Sequence, residues 1–420
     1  MIELMYKTYN SRPIPRVHSS PSRRKPLYFI GALLILGALY VGIAILKPLP
    51  EVKTTITPPV IPAMVRVNIP WPATGQAAFG ADGYGLLAQS NADKSAIKPT
   101  PMASVTKVIT ALAILEKTPL KLGEQGPAVP FTQADVDLYN QYVAKDGSVV
   151  PVSPGQSITE YQALQAIMLA SANNIADTMA VATFGSLSAY TEYANAYVKK
   201  LGMTQTTIAD ASGFSPSTAS TATDLIRLGD VAIDHPVLSE IMNQKTAVFP
   251  GVGTISNVNS LLGQSGIRGI KTGNTEEAGG CYLAVADVMI GGKKISVITA
   301  VMTAPNRTQA MLSSLPLIQS APAQFQNVRV VRNGQVVGKA TTAWGSTSDI
   351  TADKQIDVTA WTGTSISPKV TASSIESTAT AGQKVGSLEM NFNGSTQSSK
   401  LKLSRSLSSP SLWWRLTHPY

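Results

Sequence analysis

The 420-residue sequence predicts an α+β protein in three successive parts: a transmembrane helix, a mixed helix-and-strand domain over residues 73–321, and a small all-β domain over 322–405. Three observations predict it. Leu27–Leu46 is a 20-residue apolar run without a charge, about the length that spans a bilayer. Between residues 104 and 302 the apolar periodicity changes from helical spacing to strand alternation. From about Gln324 the composition shifts to Val, Thr, Ser and Gly, in short alternating runs separated by turns. A hydrophobic fraction of 44% is enough for a core in each folded part.

Residues 1–26 form a basic segment in which Lys7, Arg12, Arg16, Arg23, Arg24 and Lys25 stand against Glu3, a net +5 of the chain's +9. Basic residues ahead of the apolar run predict a cytoplasmic N-terminus, a single crossing at 27–46 and an extracytoplasmic remainder. A buried core helix would rarely lack every polar position. A cleavable signal would have a shorter apolar region and a small-x-small site after it, whereas Lys47-Pro48-Leu49-Pro50 follows here. The run is therefore read as an uncleaved anchor in the cell membrane. No basic stripe interleaved with aromatics follows it, so nucleic acid is not an expected partner. Residues 47–72 hold seven prolines and read as a semi-extended stalk, about 75 Å long at most.

Strands are expected at 76–79 and 85–89 around Ala81-Asp82-Gly83, then a helix from Ser104 to about Lys117. Residues 119–156, rich in Pro, Gly and Asp, read as loops. Ser157-Ile158-Thr159-Glu160 reads as a capping box opening a helix that ends near Ser171. Helical patterns resume at 175–183, 188–201 and 223–234, with Asp210-Ala211-Ser212-Gly213-Phe214-Ser215-Pro216 as a loop. Strands are expected at 270–273, 281–288 and 295–302, the last two joined by Gly291-Gly292. In the C-terminal domain they are expected at 328–331, 335–338, 356–361 and 386–392. Residues 406–420 form a tail whose Trp413-Trp414-Arg415 suits either a membrane-surface contact or a short disordered end.

Cys281, the single cysteine, cannot form an internal disulfide and reads as a small buried hydrophobe. His18, His235 and His418 are scattered, which argues against a Ser-His-Asp triad and against a His/Cys metal site. No metal and no cofactor is expected.

Three motifs stand in order: Ser104-Val105-Thr106-Lys107, Ser171-Ala172-Asn173 and Lys271-Thr272-Gly273. At average composition a chain of this length holds roughly two S-x-x-K matches by chance, so order and context must carry the signal. Ser95-Ala96-Ile97-Lys98 and Ser399-Lys400-Leu401-Lys402 also fit. Pro99 and Pro101 stop a helix from running on from the first, and the second lies in a strand-like stretch. Only Ser104 opens a helical pattern, with Val105, Val108, Ile109, Leu112 and Leu115 at apolar spacing and Lys107 one turn away on the same face. Taken singly, the motifs have plain structural readings: a Ser N-cap with a solvated Lys, an Asn at a helix C-cap, and an exposed Lys at a strand end. Together they form the set by which a serine acyl-transfer site is recognised.

On these motifs the chain resembles the low-molecular-mass penicillin-binding proteins, the serine D-alanyl-D-alanine carboxypeptidases of the S11 peptidase type. Met168-Leu169-Ala170-Ser171-Ala172-Asn173-Asn174, Asn195 to Met203, Ser220-Thr221-Ala222-Thr223-Asp224-Leu225 and Gly269-Ile270-Lys271-Thr272-Gly273 extend the likeness. It covers about residues 70–320, and the β domain is similar in position and pattern to that of two-domain members. The resemblance implies a transpeptidase/β-lactamase-like catalytic domain: a five-stranded antiparallel sheet with helices, a helical lobe, and the site between them.

The resemblance also implies roles. Ser104 attacks the carbonyl of the penultimate D-alanine, and neutral Lys107 acts as base, its proton affinity lowered by the nearby Lys271 charge. Ser171 relays a proton to the leaving D-alanine, and Asn173 binds the substrate's peptide. Lys271 and Thr272, with Gly273 in the same motif, hold the terminal carboxylate, with Arg307 close by. The backbone N–H groups of Ser104 and Asn274 form the oxyanion hole. The implied substrate is a peptidoglycan stem peptide ending in D-Ala-D-Ala, with β-lactams as inhibitors.

Two features depart from the family pattern. Asn274 follows Lys-Thr-Gly where members often carry His or Tyr, and the apolar anchor is N-terminal rather than C-terminal. Rival readings are a D,D-endopeptidase on crosslinked peptidoglycan, a class A β-lactamase and a non-catalytic envelope scaffold. No Glu-x-x-Leu-Asn deacylation loop lies between 173 and 271, which argues against the lactamase, and a scaffold would be expected to have lost a reactive group.

Overall fold

Five antiparallel strands build the central sheet, in the order Ile267–Thr275, Gly279–Ile290, Lys293–Ala304, Gln76–Ala81 and Gly85–Gln89. The structure, a computed structural model, describes residues 24–90, 98–392 and 395–418. Residues 1–23 of the basic segment, with His18, and Ser95-Ala96-Ile97 of the first decoy motif lie outside them. The 281–286 run is buried on both faces, which explains its continuous apolar character. Cys281, Leu283 and Val285 face the helical lobe. Tyr282, Ala284 and Ala286 face the opposite layer. Gly291 and Gly292, at φ 56° and 81°, make the tight hairpin that their position predicts.

Ten helices accompany the sheets among the described residues. They are α1 (Arg24–Leu46), α2 (Thr106–Lys117), α3 (Gln133–Val143), α4 (Glu160–Met168), α5 (Asn173–Phe184), α6 (Leu187–Lys200), α7 (Ala222–Asp234), α8 (Pro236–Met242), α9 (Arg307–Gln324) and α10 (Leu412–Thr417). Helices α2 and α4–α8 share one core with one face of the sheet. Helix α9 covers the other face through Ala310, Met311, Leu317, Ile318 and Ala321. Helix α7 packs close because Gly229 and Gly80 leave room: a Cβ on Gly80 would lie 2.4 Å from Ile226.

Several sequence readings need correction. The loops expected over 119–156 contain α3, which the apolar pattern could not reveal because none of its residues is buried. The capping box shifts by two residues: Thr159 caps α4 with Gln162, while Ser157–Thr159 is a short strand. Helix α8 starts at Pro236 behind the His235 cap, and α9 contains Pro316 and Pro322, residues that argue against a helix interior. The hairpin Thr246–Phe249/Gly253–Ser256 was not expected either.

Downstream, Lys53–Ile56, Val336–Thr341, Thr347–Ala352, Ser395–Leu403, Lys384–Phe392 and Lys369–Ala372 form a six-stranded sheet in that order, and Phe325–Val331 pairs with Ile356–Trp361. Its first strand comes from the proline-rich stretch. Lys53–Ile56 pairs with Val336–Thr341, Val52, Ile56, Ile61 and Met64 pack on the same core, and Ile69 and Trp71 pack under the central sheet. The stretch over 47–72, expected as a semi-extended stalk, packs at Val52, Ile56, Ile61, Met64, Ile69 and Trp71 against the folded body.

Helix α1 is long and apolar enough to cross a membrane, with mean hydropathy 2.6, and its side chains are mostly exposed. In the tail, α10 docks against its C-terminal end. Arg415 Nη1 donates to the Ile45 carbonyl at 2.6 Å and Tyr40 Oη donates to the Leu416 carbonyl at 2.6 Å. The arginine thereby caps carbonyls that the end of a helix leaves unpaired.

Candidate active site

Ser104 sits on a 3₁₀ turn, Ala103–Val105, that leads into α2. The turn is gripped from two sides by glycines. Gly213 has φ 75°, and a Cβ there would lie 1.9 Å from the Ala103 carbonyl oxygen. A Cβ on Gly273 would lie 3.0 Å from Ser104 N. The glycine of Lys-Thr-Gly is thus what lets the edge strand Ile267–Thr275 approach the backbone of Ser104.

One turn beyond Ser104, at the start of α2, Lys107 is completely buried. Its Nζ lies 2.6 Å from Asn173 Oδ1, 2.7 Å from the Ser212 carbonyl and 2.9 Å from Ser104 Oγ. Two of these three neighbours can only accept. A neutral amine has two N–H donors and one lone pair, so it satisfies both acceptors and keeps its lone pair for the Ser104 hydroxyl proton. Burial lowers the Lys107 pKa from 10.5 to about 7, against the raising influence of Asp210 and Asp177.

Lys271 is also buried, at 1% exposure, with Nζ donating to the Thr272 carbonyl at 3.1 Å. Burial first, then the charges of Lys107 and Arg307, hold it well below the ordinary lysine range. Ser171 lies between α4 and α5 as expected, at φ 61° and 4% exposure. Among the described residues its hydroxyl has no hydrogen-bond partner, and neither has that of buried Thr272. Asn173 is not on that connection but is the first residue of α5, tied by its N–H to the Ser148 carbonyl at 2.7 Å.

Asn274 is exposed, and its Oδ1 accepts the backbone N–H of Arg307 at 2.9 Å. Arg307 opens α9 and is itself exposed. The structure therefore joins Ser104, Lys107 and Asn173 directly, links Lys271 to Lys107 and Arg307 by charge, and ties Asn274 to Arg307 through the backbone.

Sequence reasoning missed four residues around the amine: Tyr142, Asp177, Asp210 and Ser212. Asp210 organises its loop by accepting from Ser212 Oγ at 2.8 Å and Phe214 N at 2.7 Å, which aims the Ser212 carbonyl at Lys107. The one available signal was Asp210-x-Ser212-Gly213, an acid and a short polar residue before a glycine, the composition of a side-chain-held turn. Cys281, fully buried with its thiol pushed up to about 11 by burial, takes no part.

Comparison with known proteins fits this geometry. Residues 85–306 match the peptidase S11 family, described as D-alanyl-D-alanine carboxypeptidase. The chain is 31% identical over 228 residues to D-alanyl-D-alanine carboxypeptidase DacA of Escherichia coli (strain K12), covering 52% of each, so it spans about half the length of that curated relative. The D-alanyl-D-alanine carboxypeptidase structure from Mycobacterium tuberculosis H37Rv superposes with a TM-score of 0.53 at 26% identity, covering 64% of this chain and 96% of that one. Penicillin binding protein 5 from Haemophilus influenzae shares the fold, with a TM-score of 0.56 at 19% identity over 83% of this chain and 100% of that one. A family match over more than half the chain, on a site built from all three motifs, shows that the chain belongs to the peptidase S11 family of D-alanyl-D-alanine carboxypeptidases.

Proposed function

We propose that this chain is a membrane-anchored serine D-alanyl-D-alanine carboxypeptidase. It removes the terminal D-alanine from peptidoglycan stem pentapeptides through an acyl-enzyme on Ser104 and is acylated by β-lactams. The observation that carries this reading is the Lys107 amine, buried without a carboxylate bonded to it and held by two acceptors with Ser104 Oγ as its third neighbour. Such an amine is a base of near-neutral proton affinity. Ser104 Oγ attacks the carbonyl carbon of the penultimate D-alanine, and its proton passes to Lys107 Nζ. The oxyanion that forms is stabilised by the Ser104 and Asn274 N–H groups. Collapse breaks the C–N bond, the departing nitrogen takes up a proton relayed by Ser171, and a water then hydrolyses the ester.

Asn173 has a double part in this reading, since its Oδ1 is already engaged by Lys107 and its amide N–H₂ is left for the substrate. Lys271, Thr272 and Arg307 receive the terminal carboxylate, with Gly273 admitting their strand. Helix α1 is the anchor, with the N-terminus cytoplasmic and the remainder, including the catalytic part, extracytoplasmic.

The test is D-alanine release from a pentapeptide ending in D-Ala-D-Ala by the full chain in detergent. Release that disappears in Ser104→Ala supports the reading, and its persistence there overturns it. Protease added to spheroplasts should digest the body while sparing an N-terminal tag; protection of the body would refute the orientation.

A further inference from the structure

Asp177 lies one helical turn beyond Asn173 on α5 and is only 5% exposed. Its Oδ2 accepts from Tyr142 Oη at 2.6 Å, while its Oδ1 is buried with no hydrogen-bond partner. Leaving a carboxylate oxygen unpaired in the interior is costly unless something else favours the charge. Tyr142 also lies 3.3 Å from Ser212 Oγ, and Ser212 bonds both Asp210 and Lys107. Tyr142 is held edge-on by Phe214, with ring centroids 5.6 Å apart. A polar chain from α5 through α3 to the 210–218 loop thus reaches the catalytic amine.

We propose that Asp177, held by Tyr142 in the polar cluster around Lys107, is a positioning residue that sets the pH at which Lys107 gives up its proton and the strength with which it takes the proton of Ser104. The inference rests on Lys107 being the base, which the test below separates from it. The groups that face one another here come from six parts of the fold. Asp177 of α5 is bonded to Tyr142 of α3 and interacts by charge with Lys107 of α2, Tyr190 of α6 and Asp210 of the loop, and Lys271 of the edge strand in turn feels the charge of Lys107.

Burial raises the Asp177 carboxyl to about 6 and lowers Lys107 to about 7, and the charge of each favours the charged form of the other. The sign is fixed by charge. An ionised Asp177 favours the ammonium form and keeps Lys107 a stronger base. A neutral residue there frees the amine at lower pH but weakens it.

Two measurements on the full chain in detergent test this. One is the acylation rate with benzylpenicillin from pH 5 to 9. The other is the ¹³C titration of the Lys107 Cε resonance, assigned by its loss in Lys107→Arg. Asp177→Asn should move both the Lys107 titration and the acid limb of acylation down by roughly half to one pH unit and lower the plateau rate. Tyr142→Phe, which keeps the ring against Phe214, should move them less in the same direction, and Asp177→Glu should restore most of the shift.

A Lys107 titration unmoved in Asp177→Asn protein that still melts cooperatively overturns the proposal. If that variant does not fold, an unmoved titration in Tyr142→Phe does the same. A titration that shifts while the acylation curve stays put upholds the Asp177–Lys107 coupling and sinks Lys107 as base.

Discussion

From the 3₁₀ turn into α2 the step from Ser104 to Lys107 is one helical turn, and the two side chains meet, 2.9 Å apart. In the strand Ser395–Leu403 the same step from Ser399 to Lys402 crosses to the other face of the sheet. Ser399 is buried beside Leu401 and Leu403 and accepts from Lys354 N at 3.1 Å, while Lys402 pairs with Asp353 near the surface at 2.6 Å. The residues and the spacing are identical. What differs is the period of the backbone beneath them and whether the lysine meets a carboxylate or only neutral acceptors. An ion-paired lysine has no lone pair to offer, whereas one boxed in by an amide and a carbonyl does.

The sharpest way to break this comparison is to remove each serine. Ser104→Ala should abolish both the penicillin adduct and D-alanine release. Ser399→Ala should leave both intact and lower stability by about 1 kcal/mol through the lost buried hydrogen bond. Mass spectrometry finding the adduct on the Ser399 peptide would invert the assignment.

The lysines come next. Lys107→Arg keeps a charge that cannot be given up at working pH, and acylation should fall by about 10²–10⁴-fold. Lys402→Arg should leave acylation unchanged and stability within about 0.5 kcal/mol; near-normal acylation in Lys107→Arg would erase the distinction between the two sites.

A third change attacks the frame of the Ser104 turn. Gly213→Ala forces a Cβ into the Ala103 carbonyl at positive φ. It should lower stability by roughly 1–3 kcal/mol and, by displacing the nucleophile, slow acylation by about 100-fold. Wild-type kinetics and melting would show that the clamp is dispensable.

The smallest effect is in stability against pH. Unfolded, Lys107 keeps its proton up to about 10.5, whereas in the fold it loses it near 7. Between those values the unfolded chain binds more protons, so stability rises with pH, and Lys271, lowered in the same direction, adds to the slope. Urea unfolding at pH 7, 8 and 9 should show a shallower rise in Lys107→Met, by about one proton. An unchanged slope would mean that the amine stays charged in the fold.

The sequence revealed the parts whose periodicity faces a core. Helices α2 and α4–α7 and the three long strands of the central sheet all bury an apolar stripe or run, and their positions were legible to within a few residues. Helix α3 was not, because none of its residues is fully buried: only Val136 and Tyr139 pack part-buried on the core, and polar contacts, Thr178 to Asp135 and Tyr142 to Asp177, tie it to α5. Helix α9 was hidden by Pro316 and Pro322, which remove backbone N–H donors from a helix interior. The site divides the same way. Its serines, lysines and Asn173 stand in compact motifs. Tyr142, Asp177 and Ser212 become neighbours only when three separate segments fold together.

Ser171 carries a consequence for how the chain would drift. Its backbone is held at φ 61°, where a β-carbon is unwelcome and glycine is at ease. Replacing it with glycine would relieve that conformation and remove the hydroxyl to which the proposed mechanism gives the proton relay. Selection for stability and selection for turnover therefore pull in opposite directions at this position. In a library sorted only for folded protein, glycine at 171 should be enriched; sorted for D-alanine release, it should vanish.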